Sequence, residues 1–240
     1  MLKKLPVLMF ICALGLWAAD FWATKPFTDW SDKEVQKVLT DSPWTGRITM
    51  SSGGGAAPAA DSGGGGGGKG GGGRGGGGPR GDADVADATA GGFGGGGQAS
   101  VTLLFWQTAL PVKQALVKRR LAAEAGTSPE GKAFLDREEK FYVLTLSGVP
   151  ANLLAATQGD KKAGLLDITT ITAGGKPPLK AVDVQTSSGR GGGNVSFLFP
   201  RTTTFTAEDK DLEFSSKFDK TAVKHKFKLK DMVFNGKLEM

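Results

Sequence analysis

The sequence predicts an α+β fold: a mainly antiparallel, twisted sheet with three or four short helices packed on one face, interrupted by a long disordered Gly-rich loop. Three observations lead there. Short apolar-periodic stretches open on helix-start residues at Ser31, Pro111 and Ser128-Pro129. Strand-like runs recur down the chain and end in an alternating hairpin pattern after Asp211. A glycine tract over 53–98 separates two of the strand-like runs.

Residues 1–19 stand apart from this domain. Lys3 and Lys4 precede an apolar run of about 15 residues, the shape of a secretory signal and shorter than the roughly 20 residues a stable span requires. The chain therefore reads as exported, to the periplasm or beyond. Cleavage after Ala19 would place bulky Trp17 at the minus-three position, so cleavage after Gly15 or Ala18 stands beside it. Retention as an N-terminal anchor is the alternative. Acylation of Cys12 fits poorly, because branched Ile11 precedes it. Cys12 is the only cysteine, so the rest of the chain has no disulfide, thiolate nucleophile or cysteine metal site. The formal charge of +6 falls to about +4 without Lys3 and Lys4, a mild excess that favours solubility and does not by itself imply nucleic acid.

Residues 20–240 then form one domain. Ser31-Asp32-Lys33-Glu34 is a capping box, and Val35, Val38 and Leu39 share a face, which predicts a helix over 32–40. Asp41-Ser42-Pro43 ends it, since the residue before proline avoids helical dihedrals. Trp30 and Trp44 bracket the helix and are expected to clamp it to the sheet. Strand-like residues 47–51 and 100–106 flank the glycine tract, so the tract reads as an insertion between two strands. Glycine runs have maximal backbone entropy and almost nothing to bury, and disorder is expected. Because closure entropy grows only logarithmically, lengthening the connection from about 4 to about 48 residues costs roughly 2 kcal/mol. Motifs inside the tract follow from its composition. Gly63 to Lys69 matches G-x-x-x-x-G-K, but Gly70 stands where a Ser or Thr would hold magnesium and no strand precedes it.

Beyond the tract, Pro111 opens a helix whose apolar stripe is Val112, Ala115, Leu116 and Leu121, with Lys113, Lys118, Arg119 and Arg120 read as a solvated face. Ser128-Pro129-Glu130 starts another, with Phe134 and Leu135 expected to point inward. It feeds a strand over 141–147. Pro150 begins a short helical stretch carrying Leu153 and Leu154, followed by strands near 166–172, 182–186 and 195–199. In the final hairpin, Leu212, Phe214 and Phe218 alternate with polar residues, as do Val223, His225, Phe227 and Leu229. A turn at Lys220-Thr221 would set Phe214 opposite Phe227 and Glu213 opposite Lys228.

That hairpin places Lys224, Lys226, Lys228 and Lys230 on one face as a candidate anion-binding stripe, for which anionic envelope components are the partner class. Lysines on an exposed strand also discourage edge-to-edge aggregation, and this is the simpler reading. No catalytic, cofactor-binding or metal residues are assigned. His225 is the sole histidine and falls on the apolar face, no G-x-S-x-G elbow is present, and zinc needs several imidazoles or thiolates. Carboxylate chemistry stays open through Asp136, Glu138 and Glu139 and through Glu208, Asp209 and Asp211, both groups reading as solvated surface. No cofactor is expected, and export argues against nucleic acid.

Trp30-Ser31-Asp32-Lys33-Glu34-Val35, Asp41-Ser42-Pro43-Trp44, Phe199-Pro200-Arg201 and the pattern from Phe227 through Met232 and Gly236 to Leu238 resemble motifs of uncharacterised secreted proteins of acidobacterial type. The resemblance implies an intact domain with a variable central insertion and brings no known activity. The expected function is a non-enzymatic binding or structural role in the envelope or periplasm. The alternatives are an anionic membrane-surface or polymer binder using the lysine stripe, and a hydrolase using carboxylates in a cleft.

Overall fold

The computed structural model describes residues 20–51, 57–58, 99–189 and 192–240. The expected signal segment over 1–19, Cys12 and all of the glycine tract except Ala57 and Pro58 lie outside the described residues. Six α-helices occur among the described residues: α1 (Phe21–Thr24), α2 (Asp32–Thr40), α3 (Leu110–Leu121), α4 (Pro129–Asp136), α5 (Ala151–Leu154) and α6 (Lys161–Ile168). The strands are β1 (Thr45–Ser51), β2 (Ala57–Pro58), β3 (Ala99–Trp106), β4 (Phe141–Val149), β5 (Thr170–Ala173), β6 (Leu179–Lys180), β7 (Asp183–Gly189), β8 (Gly192–Pro200), β9 (Asp211–Phe218), β10 (Thr221–Lys228), β11 (Val233–Phe234) and β12 (Lys237–Leu238). The class is α+β.

All strand pairs are antiparallel, and the strands divide between a six-stranded sheet, β2-β1-β3-β4-β8-β7, and a four-stranded sheet, β10-β9-β5-β6, with β11 and β12 as a separate ribbon. The inward rows of the two sheets meet. Phe197 of β8 lies 5.8 Å from Phe214 and 6.0 Å from Phe218, and Trp106 of β3 lies 5.5 Å from Phe227, edge to face in the last two pairs. Trp106 is fully buried, and its indole N–H has no hydrogen-bond partner among the described residues. β1 and β3 pair along their length, from Thr45 opposite Phe105 to Ser51 opposite Ala99, so residues 52–98 connect two adjacent antiparallel strands.

The start of the domain follows its local signals closely. In α2 the Ser31 Oγ accepts from Glu34 N at 3.4 Å, while Ser31 N donates to Glu34 Oε2 at 2.7 Å. The Lys25 ammonium, 2.8 Å from the same oxygen, together with the Ser31 donors, holds the Glu34 carboxyl down to about 2. Its stabilising contribution is complete above the ordinary value of 4.5 and is lost as pH falls toward the folded value. Replacing Ser31 by alanine is expected to cost about 1 kcal/mol, read as a lower urea midpoint; an unchanged midpoint would mean that the Lys25–Glu34 pair holds the helix end alone. Trp30 and Trp44 are both buried, and the Trp44 indole donates to the Glu239 carbonyl at 3.0 Å, tying the chain end to β1.

Three local expectations are corrected. The hairpin turns at Asp219-Lys220, pairing Phe218 with Thr221, Glu213 with Lys226 and Asp211 with Lys228. Asp219 takes φ 52°, a conformation that aspartate tolerates better than lysine, so the turn moves one residue earlier while face parity is kept. Residues 166–168 are helical, and the strand begins at Thr170, because α6 carries Leu165 into the core before the β-branched residues start. In α4, Phe134 and Leu135 are only half-buried, and the close contact is made by Gly131 against Leu121 and Val117.

Candidate functional site

The outer face of the six-stranded sheet is set by strand parity. Inward residues Tyr142, Leu144 and Leu146 of β4 and Val195, Phe197 and Phe199 of β8 fill the core, which leaves Val143, Thr145 and Ser147 beside Asn194, Ser196 and Leu198 on the other side. Register extends these into rows: Phe105, Thr145, Ser196 and Gln185 lie side by side, with Val143 and Leu198 as the next pair. Gln107 follows the end of β3 and stays beside β4, its N–H donating to the Val143 carbonyl at 2.9 Å. A groove of about 480 Å³ runs over Gln107, Val143, Ser196, Leu198, Gln185 and Ser187 and is walled by the α4–β4 connection, Arg137 to Phe141. That volume lies in the range of small-ligand sites.

Hydrogen bonds give the groove floor a polarity. Thr145 donates its one proton to Gln107 Oε1 at 2.7 Å, and Thr145 Oγ1 lies 2.8 Å from Ser196 Oγ. With that proton spent, Ser196 must donate to Thr145. The chain therefore runs from Ser196 through Thr145 to Gln107. It leaves the Ser196 oxygen as an acceptor and the Gln107 amide nitrogen, which has no protein partner among the described residues, as a donor.

The wall carries an ion cluster. Lys113 of α3 has a side chain only 4% exposed, and its three protons go to Glu139 Oε1 at 2.9 Å and to the Leu135 and Arg137 carbonyls at 3.1 and 3.3 Å. Arg137 grips the same carboxylate from the solvent side, with Nη2 at 3.1 Å from Oε1 and 3.3 Å from Oε2. Both Lys113 and Arg137 also lie over the Phe134 ring, at 5.3 and 5.4 Å. Lys113 and Glu139 thus correct the solvated-surface readings of the α3 basic residues and of the 136–139 acidic group. Lys118 is likewise engaged, donating to the Thr28 carbonyl. Asp136 and Glu138 are exposed as expected.

The lysine stripe is placed on the opposite sheet. Lys224, Lys226 and Lys228 project from the exposed face of β10, whereas Lys230 falls in the tight turn Leu229–Met232 beyond the strand. Glu213 stands 3.9 Å from Lys224 and 3.7 Å from Lys226, within the reach of a weak surface pair. His225 is half-buried on the inner face, edge-on to Phe227 at 4.6 Å, and burial lowers its pKa from the usual 6.5. In the second acidic group, Asp209 accepts from the Lys176 ammonium and, at 2.8 Å, from Thr206 N, and Lys176 in turn lowers its pKa. Among the described residues no three His, Cys, Asp or Glu side chains converge as a metal site. No helix among them is long and apolar enough to cross a membrane.

Sequence reasoning missed Gln107, Thr145, Ser196 and Gln185, which are uncharged and match no motif. One signal was present: Leu198 puts an apolar side chain on the otherwise polar face of Asn194 and Ser196. No family model, curated protein or solved structure matches the chain.

Proposed function

We propose that the protein is an exported, non-catalytic binding protein whose ligand lies in the groove on the outer face of the six-stranded sheet. The observation that carries this reading is the convergence of an oriented amide donor at Gln107 and a hydroxyl acceptor at Ser196 in a groove with one carboxylate on its wall. Hydrolysis by paired carboxylates needs a second acidic group in the cleft, and Glu139, the one carboxylate lining it among the described residues, is held between Lys113 and Arg137. The sole histidine belongs to the inner face of the other sheet, away from these groups. Export rests on residues 1–19, and the resemblance to secreted proteins of acidobacterial type is in keeping with it.

The test is a photo-crosslinker, p-benzoylphenylalanine, introduced at Ser187 in the full chain expressed in cells. Irradiation is expected to trap an envelope component, with the same residue at Lys226 as the comparison site. A Ser187 adduct absent from Lys226 supports the groove. Adducts at neither site, or only at Lys226, refute it. Fractionation of the same cells locates the protein, and a cytoplasmic pool without processing or membrane association would overturn export.

A further inference from the structure

We infer that the groove binds an acidic saccharide, a pyranose chain carrying carboxylates. This rests on the groove being the binding surface. Three features of the site select that chemistry together.

The first is charge. The charged groups lining the groove are Arg137, Lys140 and one carboxylate, Glu139, so the lining carries a single excess positive charge; the Arg137 side chain is 60% exposed and its guanidinium presents several donors. An anionic group entering from solvent meets Arg137 before it meets Glu139, whose inner oxygen already accepts from Lys113. The second is the hydrogen-bond polarity of the floor. A sugar hydroxyl is both donor and acceptor, and here an amide donor, Gln107, and a hydroxyl acceptor, Ser196, are fixed through one shared residue, Thr145. Because these groups are uncharged, the floor matches hydroxyls rather than a second carboxylate.

The third feature is apolar surface. Val143 and Leu198, opposite one another in register, give the groove a carbon surface next to those polar atoms, and Phe141 adds to it at the wall. A pyranose offers the same juxtaposition: a C–H face to lie on Val143 and Leu198 and a rim of hydroxyls to reach Gln107 and Ser196. An extended peptide pairing with β7 is the competing occupant, since β7 ends the sheet among the described residues. That mode would use main-chain groups at the edge. The oriented polar atoms sit instead on β4, β8 and the residue after β3, in the middle of the face.

Titration of the full-length protein with trigalacturonate, maltotriose and triglutamate separates the sources of affinity. Calorimetry and the side-chain amide resonances of Gln107 and Gln185 serve as readouts. Trigalacturonate is expected to bind about tenfold or more tighter than either comparison ligand and to shift both amide resonances. Gln107→Ala should weaken it by about tenfold, and Arg137→Gln should abolish the preference for the acidic over the neutral sugar. Lys226→Gln, on the other sheet, should change nothing. Binding of triglutamate as tight as that of trigalacturonate would overturn the saccharide assignment in favour of a charge or peptide site. So would affinity unchanged by Gln107→Ala, or absence of binding up to about 10 mM, a Kd that corresponds to about 2.7 kcal/mol. A Ser187 photo-adduct in cells alongside failed saccharide binding would leave the groove standing and remove only this ligand class.

Discussion

Replacing Lys113 by methionine is expected to destabilise the protein by about 3 kcal/mol, the low end of what breaking a buried ion pair costs. Methionine keeps most of the apolar stem but removes all three donors at once, leaving the Leu135 and Arg137 carbonyls and one side of Glu139 without partners. The low end applies because Arg137 still holds Glu139 from the solvent side. In a domain of this size that corresponds to a fall in Tm of about 6–12 °C. Lys113→Met combined with Glu139→Leu should recover part of the loss, since an apolar pair of similar volume leaves no uncompensated charge, although the two carbonyls stay unpaired. Urea denaturation of the two variants checks both statements. A single variant within about 0.5 kcal/mol of the parent would mean that the pair contributes no more than an exposed one.

The same cluster shows where sequence reading stops. Lys113 lies between Val112 and Gln114 in a helix whose other cations sit toward its C-terminal end, and nothing in its neighbours marks it as different. Its burial comes from α4 and the 137–139 connection arriving over α3, a contact between segments more than 20 residues apart, as the separation of Lys113 from Leu135 records. The capping box at Ser31, by contrast, is a four-residue device, and both reciprocal hydrogen bonds are present. The hairpin lies between these cases. Its period-2 pattern fixed which side chains face inward, because an even shift keeps parity, while the pairing itself depended on which residue could accept a positive φ.

The candidate groove was harder still to read in advance. Thr145 and Ser196 become neighbours only through the β4–β8 register, and Gln107 joins them only because the chain stays beside β4 for one residue after β3 ends. No spacing rule connects positions 107, 145 and 196. The division of the strands between two sheets follows from the inward aromatic rows of β8 and β9, which are each other's partners across the core. The groove lies on the opposite face of the larger sheet, on the side away from the smaller one.

Where the two sheets converge, the result expected for Gly46→Ala is a loss of about 1–3 kcal/mol, the usual cost of overpacking. A β-carbon at Gly46 would stand 2.3–2.6 Å from three atoms of the His225 imidazole, far inside contact distance. The ring has little room to yield, because Phe227 packs against it at 4.6 Å. Glycine is thus needed here for the close approach of β1 to β10, not for its backbone freedom. Shortening the opposing side chain should relieve the clash, so Gly46→Ala with His225→Ser is expected to be more stable than the sum of the single changes predicts, a coupling that a double-mutant cycle measures. Additive losses would show that β1 moves instead of the ring resisting. The same contact makes stability depend on pH. Burial lowers the His225 pKa in the folded protein, so the unfolded chain binds the proton more readily; the contribution of the neutral ring is complete above 6.5 and is lost as pH falls through the folded value. Lys224 and Lys226 flank it in sequence but project from the other face of β10, and Phe214 stands opposite it. With no second histidine in the chain, a decline in urea midpoint between about pH 7 and pH 5 belongs to this residue and should flatten in His225→Gln. An equal decline in the variant would place the titration elsewhere and would mean that the imidazole is not held neutral between the sheets.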